Sequence, residues 1–315
     1  MSNPTSGLRL GLVLPPCPTP HELRASASYI DDSGIHSLWV TDRTVAGMPW
    51  LDALTALGTL AAVTRRVRIG TSVLVLPRRN PVHVAHALAT VDHLSEGRLI
   101  VGVGVGNSAV SAAEFDIAGV DMARRGRVTD EYLDLLRRLW TSDDVDHEGE
   151  GWRWAGVSLA PKPVRRVPVW VGGSTSAARR RAGRAGDGWL AVCSSPERFP
   201  AEWTEVQEEA RSHGRDGASL VPAAYLFGAI DEDGTTSRHT LDATLRGFLG
   251  APLEAVADTC IWGTPEQWLD RLAAWEAAGV RHVNVALFTD RLEYDTRLIG
   301  EHIVPHLSHA PADIA

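Results

Sequence analysis

The chain has little cysteine: Cys17, Cys193 and Cys260 are the three among 315 residues. An odd, sparse set argues against a disulfide scaffold and for a reducing compartment. Basic runs are short, none longer than three residues, and the formal net charge is -8. A nucleic-acid protein would show a basic face, so that class is disfavoured. Long apolar runs are missing too; no stretch approaches the roughly 18 residues a membrane helix needs. The opening MSNPTSGLRLGLVLPPCP has no basic leader before its apolar run. Cys17 follows Pro15 and Pro16, which suits neither a signal-cleavage site nor a lipid anchor. The cytoplasm is the expected compartment. There is no internal repeat and no low-complexity linker, so a single domain over 1–315 is expected, with the tail SHAPADIA frayed.

Some chemistries are also absent. No G-x-S-x-G elbow supports a Ser-His-Asp hydrolase. His83 and His86 are spaced for one helix face, with His93 further on, but no third ligand joins them, so no metal is expected.

What is present is an alternation. Apolar, β-branched runs occupy Leu8–Leu14, Ser37–Thr41, Val67–Val73, Leu99–Val105, Pro168–Val171, Trp189–Val192, Leu220–Phe227 and His282–Leu287. Amphipathic stretches such as PVHVAHALATVDHL and PEQWLDRLAAWEAAG lie between them. Strands alternating with helices imply a parallel sheet with crossover helices. Eight such units close naturally into a (β/α)8 barrel, α/β in class, whose chemistry sits on the loops after the strands. Two stretches break the rhythm and read as insertion loops: Asn107 to about Met122, after the fourth strand, and Thr141 to Arg166, before the fifth. Long loops in a compact domain are usually functional. Of the tryptophans, mostly core material, Trp152 and Trp154 stand out because they fall in such a loop.

Four segments could carry chemistry. In GRLIVGVGVGNS, strand alternation puts Gly102, Gly104 and Gly106 on one face, where a flat ring could lie. The plain alternative is close packing of backbones. GVGNSA also matches a loose dinucleotide fingerprint, but no clean helix is expected after it, so a Rossmann fold is disfavoured. In PVWVGGSTSAARRRAGRAGDGW a strand ends in Gly172-Gly173, and Ser174, Thr175 and Ser176 lead into a helix. Free backbone N–H groups and the helix dipole favour an anion such as phosphate, the alternative being ordinary capping. No Walker-type lysine follows. In SLWVTDRTV, Asp42 and Arg43 sit just past a strand, as catalytic groups or as an ion pair. Thr71, Ser72 and Val73 end the third strand at the same mouth.

The segments SLWVTDR, GTSVLVLPRRNPVHVAHALATVDHLSEGRLIVGVGVG, PVWVGGSTSAARRRAGRAGDGW and GTPEQWLDRLAAWEAAGVRHVNV resemble the bacterial luciferase-like family of flavin- or deazaflavin-dependent barrels, from about Leu8 to Leu287. The resemblance implies a ring in the barrel mouth, its phosphate on the Gly-Gly-Ser-Thr loop, and a cis peptide between Ser72 and Val73. With it come expected cofactor contacts from Ser72, Val73, Gly104, Gly106, Asn107, Gly172, Gly173, Ser174 and Thr175, while Asp42 and Arg43, from their place past the second strand, are the expected catalytic residues. The coenzyme F420 branch carries an Asp-His pair after the second strand. Here Asp42 matches the Asp and Arg43 replaces the His; Asn107 stands where an acidic residue can follow the glycine strand. Arginine stays protonated and cannot take a proton from an alcohol. The expectation is therefore an F420-dependent oxidoreductase acting on a small organic substrate. The alternatives are an FMN monooxygenase served by a separate flavin reductase, and a non-catalytic flavin-binding barrel. A homodimer is the other partner considered.

Overall fold

The computed structural model describes residues 7–16, 18–45 and 48–307, with side chains of 108–110 left out. Cys17 and the tail from Ser308 lie outside the described residues. Strands β1 (Arg9–Val13), β2 (Ser37–Val40), β3 (Arg68–Val75) and β4 (Leu99–Gly104) are followed by a hairpin of β5 (Val145–Glu148) and β6 (Arg153–Val157). Then come β7 (Val169–Gly172), β8 (Gly188–Ala191), β9 (Val221–Ile230), β10 (Cys260–Gly263) and β11 (His282–Leu287). The helices are α1 (Pro20–Ser33), α2 (Ala53–Val63), α3 (Pro81–Leu94), α4 (Ser108–Ala118), α5 (Arg125–Thr141) and α6 (Ser176–Ala185). They continue with α7 (Phe199–Ser212), α8 (Thr235–Leu249), α9 (Leu253–Val256), α10 (Pro265–Ala277) and α11 (Leu292–His302).

The order β11-β1-β2-β3-β4-β7-β8-β9, all parallel, closes because β9 pairs with both β8 and β11. This is the expected (β/α)8 barrel, and its eight strands are the eight apolar runs of the sequence. β10 pairs with the upper part of β9, from Phe227 to Ile230. Local signals set the helix starts: Thr19 and Thr264 form capping boxes with Glu22 and Gln267, each before a proline.

The two insertions differ from the sequence reading. The stretch after β4 is helical, because its small residues from Ser108 onward tolerate a helix as well as a loop. The later stretch is the β5–β6 hairpin, packed on the outside of α5. Trp152 meets Tyr132 edge-on, and Trp154 lies against His147, itself paired with Glu131 of α5. Trp152 thus packs against a residue of α5, and Trp154 against the hairpin's own His147.

Strand alternation divides the core in two. Leu38 and Val40 pack outward among the helices, whereas Trp39 joins Val13, Ile100, Trp170, Leu190 and Phe227 inside the barrel. The interior also carries a polar chain. Trp39 Nε1 donates to Ser37 Oγ (2.7 Å), which lies 3.2 Å from His282 Nε2. His282 Nε2 is 2.7 Å from Asn284 Oδ1, an acceptor, so this nitrogen carries the proton. Asn284 Nδ2 in turn reaches Ser72 Oγ at 3.5 Å.

Burial depresses the His282 pKa to about 3 from 6.5, against a smaller opposing effect of Asn284, and burial lowers His36 beside it. The unfolded chain takes up these protons near pH 6.5 and the folded chain does not, so acidification favours unfolding from that point downward. His282 is expected to cost about 2 kcal/mol between pH 7 and pH 5, and His36 acts in the same direction. Urea unfolding at the two pH values checks this: the parent should lose more stability on acidification than His282→Gln.

Candidate active site

The alternation that turns Trp39 inward continues past β2 and separates the two residues that follow. Asp42 points away from the barrel axis and is buried, 2% exposed. It accepts the Val75 N–H (2.9 Å), Arg78 Nη2 (2.8 Å) and a two-pronged contact from Arg79 (2.7 Å to each oxygen). Arg78 also meets Glu114 of α4, in ionic contact rather than as an aligned hydrogen bond. Glu114 Oε1 accepts the N–H groups of Thr44 (2.6 Å) and Val45 (3.0 Å). Burial alone would raise the Glu114 carboxyl, but these two N–H groups and Arg78 hold it below the ordinary 4.5. The network staples the 42–45 loop to α4 and to the turn after β3. Arg43 takes the inward position, its guanidinium carbon 6.0 Å from the centre of the Phe248 ring.

The end of β3 forms one wall of the mouth. The Ser72–Val73 peptide is cis, and the register against β4 slips between Thr71 and Leu74. Both side chains therefore turn inward: Ser72 toward Asn284, Val73 into a seat made by glycines. A Cβ on Gly104 would lie 2.6 Å from Val73 Cγ2, and one on Gly172 2.8 Å from Val73 Cγ1. Beyond them, a Cβ on Gly106 would lie 2.8 Å from the Phe115 ring. The room cleared by the glycine face is thus filled by Val73 and Phe115. It is Val73, not the bare glycine backbone, that faces the mouth.

Beside this wall, β7 runs into the N-terminus of α6. Gly173 has φ 145, and its N–H and C=O are both committed, to Leu190 O (3.2 Å) and Trp189 Nε1 (3.0 Å). Arg179 Nη1 donates to the Ser174 carbonyl at 2.8 Å. Thr175 Oγ1 caps α6 through the Ala178 N–H (3.2 Å). The anion donors that the loop offers are therefore the Ser174 hydroxyl and the first N–H groups of α6.

Facing Val73 is an aromatic wall. β9 lies four strands from β3 in either direction round the barrel. Its inward residues Tyr225 and Phe227 meet edge to face at 5.4 Å. Phe227 stacks on Phe288, just past β11, at 5.8 Å. Phe248 of α8 closes on both at 6.3 and 6.1 Å, and Trp50 lies 6.3 Å from Phe248. Val73, this wall of rings and the Gly172–Thr175 loop thus lie at one end of the barrel.

The family model for luciferase-like monooxygenases matches residues 4–250. The chain belongs to this family. An F420-dependent glucose-6-phosphate dehydrogenase from Amycolatopsis mediterranei (strain U-32) is 35% identical over 187 residues, 56% of this chain and 54% of the relative. The chain thus spans about half the length of that curated relative. Among solved structures, an F420-dependent secondary alcohol dehydrogenase in complex with an F420-acetone adduct superposes with TM-score 0.84 at 21% identity, covering 94% of this chain and 98% of that one. The monooxygenase RslO1 from Streptomyces bottropensis gives TM-score 0.82 at 24% identity, over 95% and 99%. At such identities these likenesses speak for the fold.

Within this luciferase-like barrel, the residues singled out in the sequence come to the carboxyl ends of the strands. Arg43, Ser72, Val73, Gly172, Gly173, Ser174 and Thr175 border the mouth. Asn107 is exposed at the start of α4, its carbonyl accepting the Ser111 N–H (2.9 Å). Asp42, read from the sequence as a catalytic group or an ion-pair partner, has its oxygens on the Val75 N–H, Arg78 and Arg79. Sequence reasoning missed Arg78, Arg79 and Glu114, although the doubled arginine after a strand was a signal. It also missed the aromatic wall, which has none, because its members are spread from Trp50 to Phe288.

Proposed function

We propose that this barrel is a coenzyme F420-dependent oxidoreductase that reduces a small organic substrate. The observation that carries the reading is the placement of Val73 and the aromatic wall on opposite strands at one barrel end, with the Gly172–Thr175 loop beside Val73. These residues fit a flat ring and a phosphate: Val73, seated on Gly104 and Gly172, would back the ring, and Ser174 with the first turn of α6 would hold the phosphate. The chemistry a bound deazaflavin supplies is hydride transfer. Reduction is favoured over alcohol oxidation because Asp42 and Glu114 are committed to arginines, and Arg43 cannot act as a base. Similarity to an F420-dependent dehydrogenase supports the cofactor. The match to a family named for monooxygenases keeps a second reading: oxygenation with reduced FMN from a separate reductase. The proposed compartment is the cytoplasm, and the proposed assembly is a homodimer.

Titrating the purified protein with F420 and with FMN, followed by fluorescence, tests the reading. Tight F420 binding and negligible FMN binding are expected; the reverse would establish the second reading. Either cofactor bound without turnover under any reductant would leave a non-catalytic binding barrel. Arg43→Ala is expected to lower kcat/KM about tenfold or more, with cofactor affinity kept. Equal turnover in parent and variant would remove Arg43 from the site. Thr175→Ala should cost about 1 kcal/mol of stability through the lost cap, read by urea unfolding without cofactor.

A further inference from the structure

We infer that the substrate is a flat, conjugated, uncharged carbonyl compound lying against the aromatic wall, and not a phosphorylated sugar. The inference rests on the F420 reading and adds the class of molecule that shares the site.

Three of the chain's five phenylalanines, Phe227, Phe248 and Phe288, meet in this wall. Three elements distant in sequence converge to place them. Phe248 and Trp50 are only half-buried, so ring surface is still open to a ligand. Rings at such spacings receive another flat π-system in an offset or edge-on arrangement. The wall has one hydroxyl, that of half-buried Tyr225, which has no hydrogen-bond partner among the described residues. Burial pushes this phenol up from 10, so it stays a proton-bearing donor, suited to a carbonyl oxygen.

Charge points the same way. With the Ser174 hydroxyl and the first turn of α6 taken up by the cofactor phosphate, a second phosphate, on the substrate, would call for lysine or for arginine with its fork free. The chain's single lysine, Lys162, donates to the Leu139 and Ser142 carbonyls at the far end of α5. Near the mouth, Arg78 and Arg79 are held by Asp42 and Glu114, Arg179 by Glu202 and Glu205, and Arg291 by Asp295, while Arg198 donates to the Cys193 carbonyl. Arg43 lies against the Phe248 ring. Bound reduced F420 would supply a hydride to the β-carbon of a conjugated enone as the C=C π bond breaks, the α-carbon would take a proton from water, and the hydroxide left would take up the ring N–H proton, giving a saturated ketone and oxidised F420.

The probe is benzylideneacetone, a flat aryl enone, with glucose 6-phosphate as comparator. Isothermal titration calorimetry is run on the protein with and without oxidised F420, and F420 affinity is measured on the same samples. Benzylideneacetone should bind at least about tenfold more tightly than the sugar phosphate. Phe248→Ala should weaken it about tenfold, Phe248→Leu less, and Tyr225→Phe several-fold, with thermal melts confirming folded variants. Enone binding that persists without any F420 affinity would sink the cofactor reading and keep the substrate class. F420 binding with no enone binding, preference for glucose 6-phosphate, or enone affinity unchanged in both Phe248→Ala and Tyr225→Phe would overturn the substrate class alone.

Discussion

Gly104→Val is expected to weaken F420 binding about a hundredfold while leaving the barrel folded. The first added atom would lie 2.6 Å from Val73 Cγ2, far inside the contact distance of two carbons. β4 cannot yield, because its ladders to β3 and β7 fix it on both sides. Val73 can yield, since its side chain is only part-buried and its remaining freedom is toward the mouth. The displaced valine would occupy the plane meant for the ring. Overpacking of this kind costs about 1–3 kcal/mol of stability, and a hundredfold loss of affinity corresponds to about 2.7 kcal/mol. Gly172→Ala pushes on the same valine from the other side, 2.8 Å from Cγ1, and should act in the same direction. Fluorescence titration and urea unfolding of both variants are the measurements. Parental affinity in Gly104→Val would mean that the ring does not lie on Val73.

Arg78→Ala should lower the unfolding free energy by about 3–5 kcal/mol. The Arg78 side chain is 4% exposed, and the side chains of its two carboxylate partners, Asp42 and Glu114, are 1% exposed. Without it, a buried negative charge on α4 loses its cation, and the 42–45 loop loses one of its anchors. Lysine cannot fork between two carboxylates, so Arg78→Lys should recover only part of the loss. The pH dependence has a definite sign. In the parent, Glu114 titrates below 4.5, so its contribution is present above that pH and fades as pH falls through the lowered value. Removing Arg78 removes one cause of the lowering. The gap between parent and variant should therefore be widest near neutrality and narrow toward pH 4. A gap of under about 1 kcal/mol at pH 7 would mean the network behaves as a surface ion pair.

The barrel was legible because each strand is a short apolar, β-branched run bounded by polar or glycine-rich sequence. The site was legible where its signal is local. Gly172 to Thr175 announces a strand passing into a helix, and Ser72 with Val73 follows from the resemblance. Asp42 shows how a local signal misleads. Counted in twos from Trp39, the strand period already puts Thr41 and Arg43 inside and Asp42 outside; adjacency in sequence suggested a pair, whereas geometry makes them opposites. The glycine row misled in a related way. Alternation located the space, but the filler, Val73, comes from the neighbouring strand, and only the register slip between Thr71 and Leu74 brings it there. The aromatic wall could not be read, since nothing in the separate contexts of Trp50, Tyr225, Phe248 and Phe288 links them.

β9 has a consequence for how such a protein can diversify. Its lower half belongs to the barrel, between β8 and β11, while its upper half leaves β8 and takes β10 as neighbour. The parts proposed to face the cofactor come from one stretch of chain, Ser72 to Thr175, and most of the ring wall from another, Tyr225 to Phe288. Drift in the second stretch can change the preferred guest without disturbing the reagent's berth in the first. A chimera exchanging 225–288 between relatives should carry substrate preference with the exchanged piece and leave cofactor preference behind.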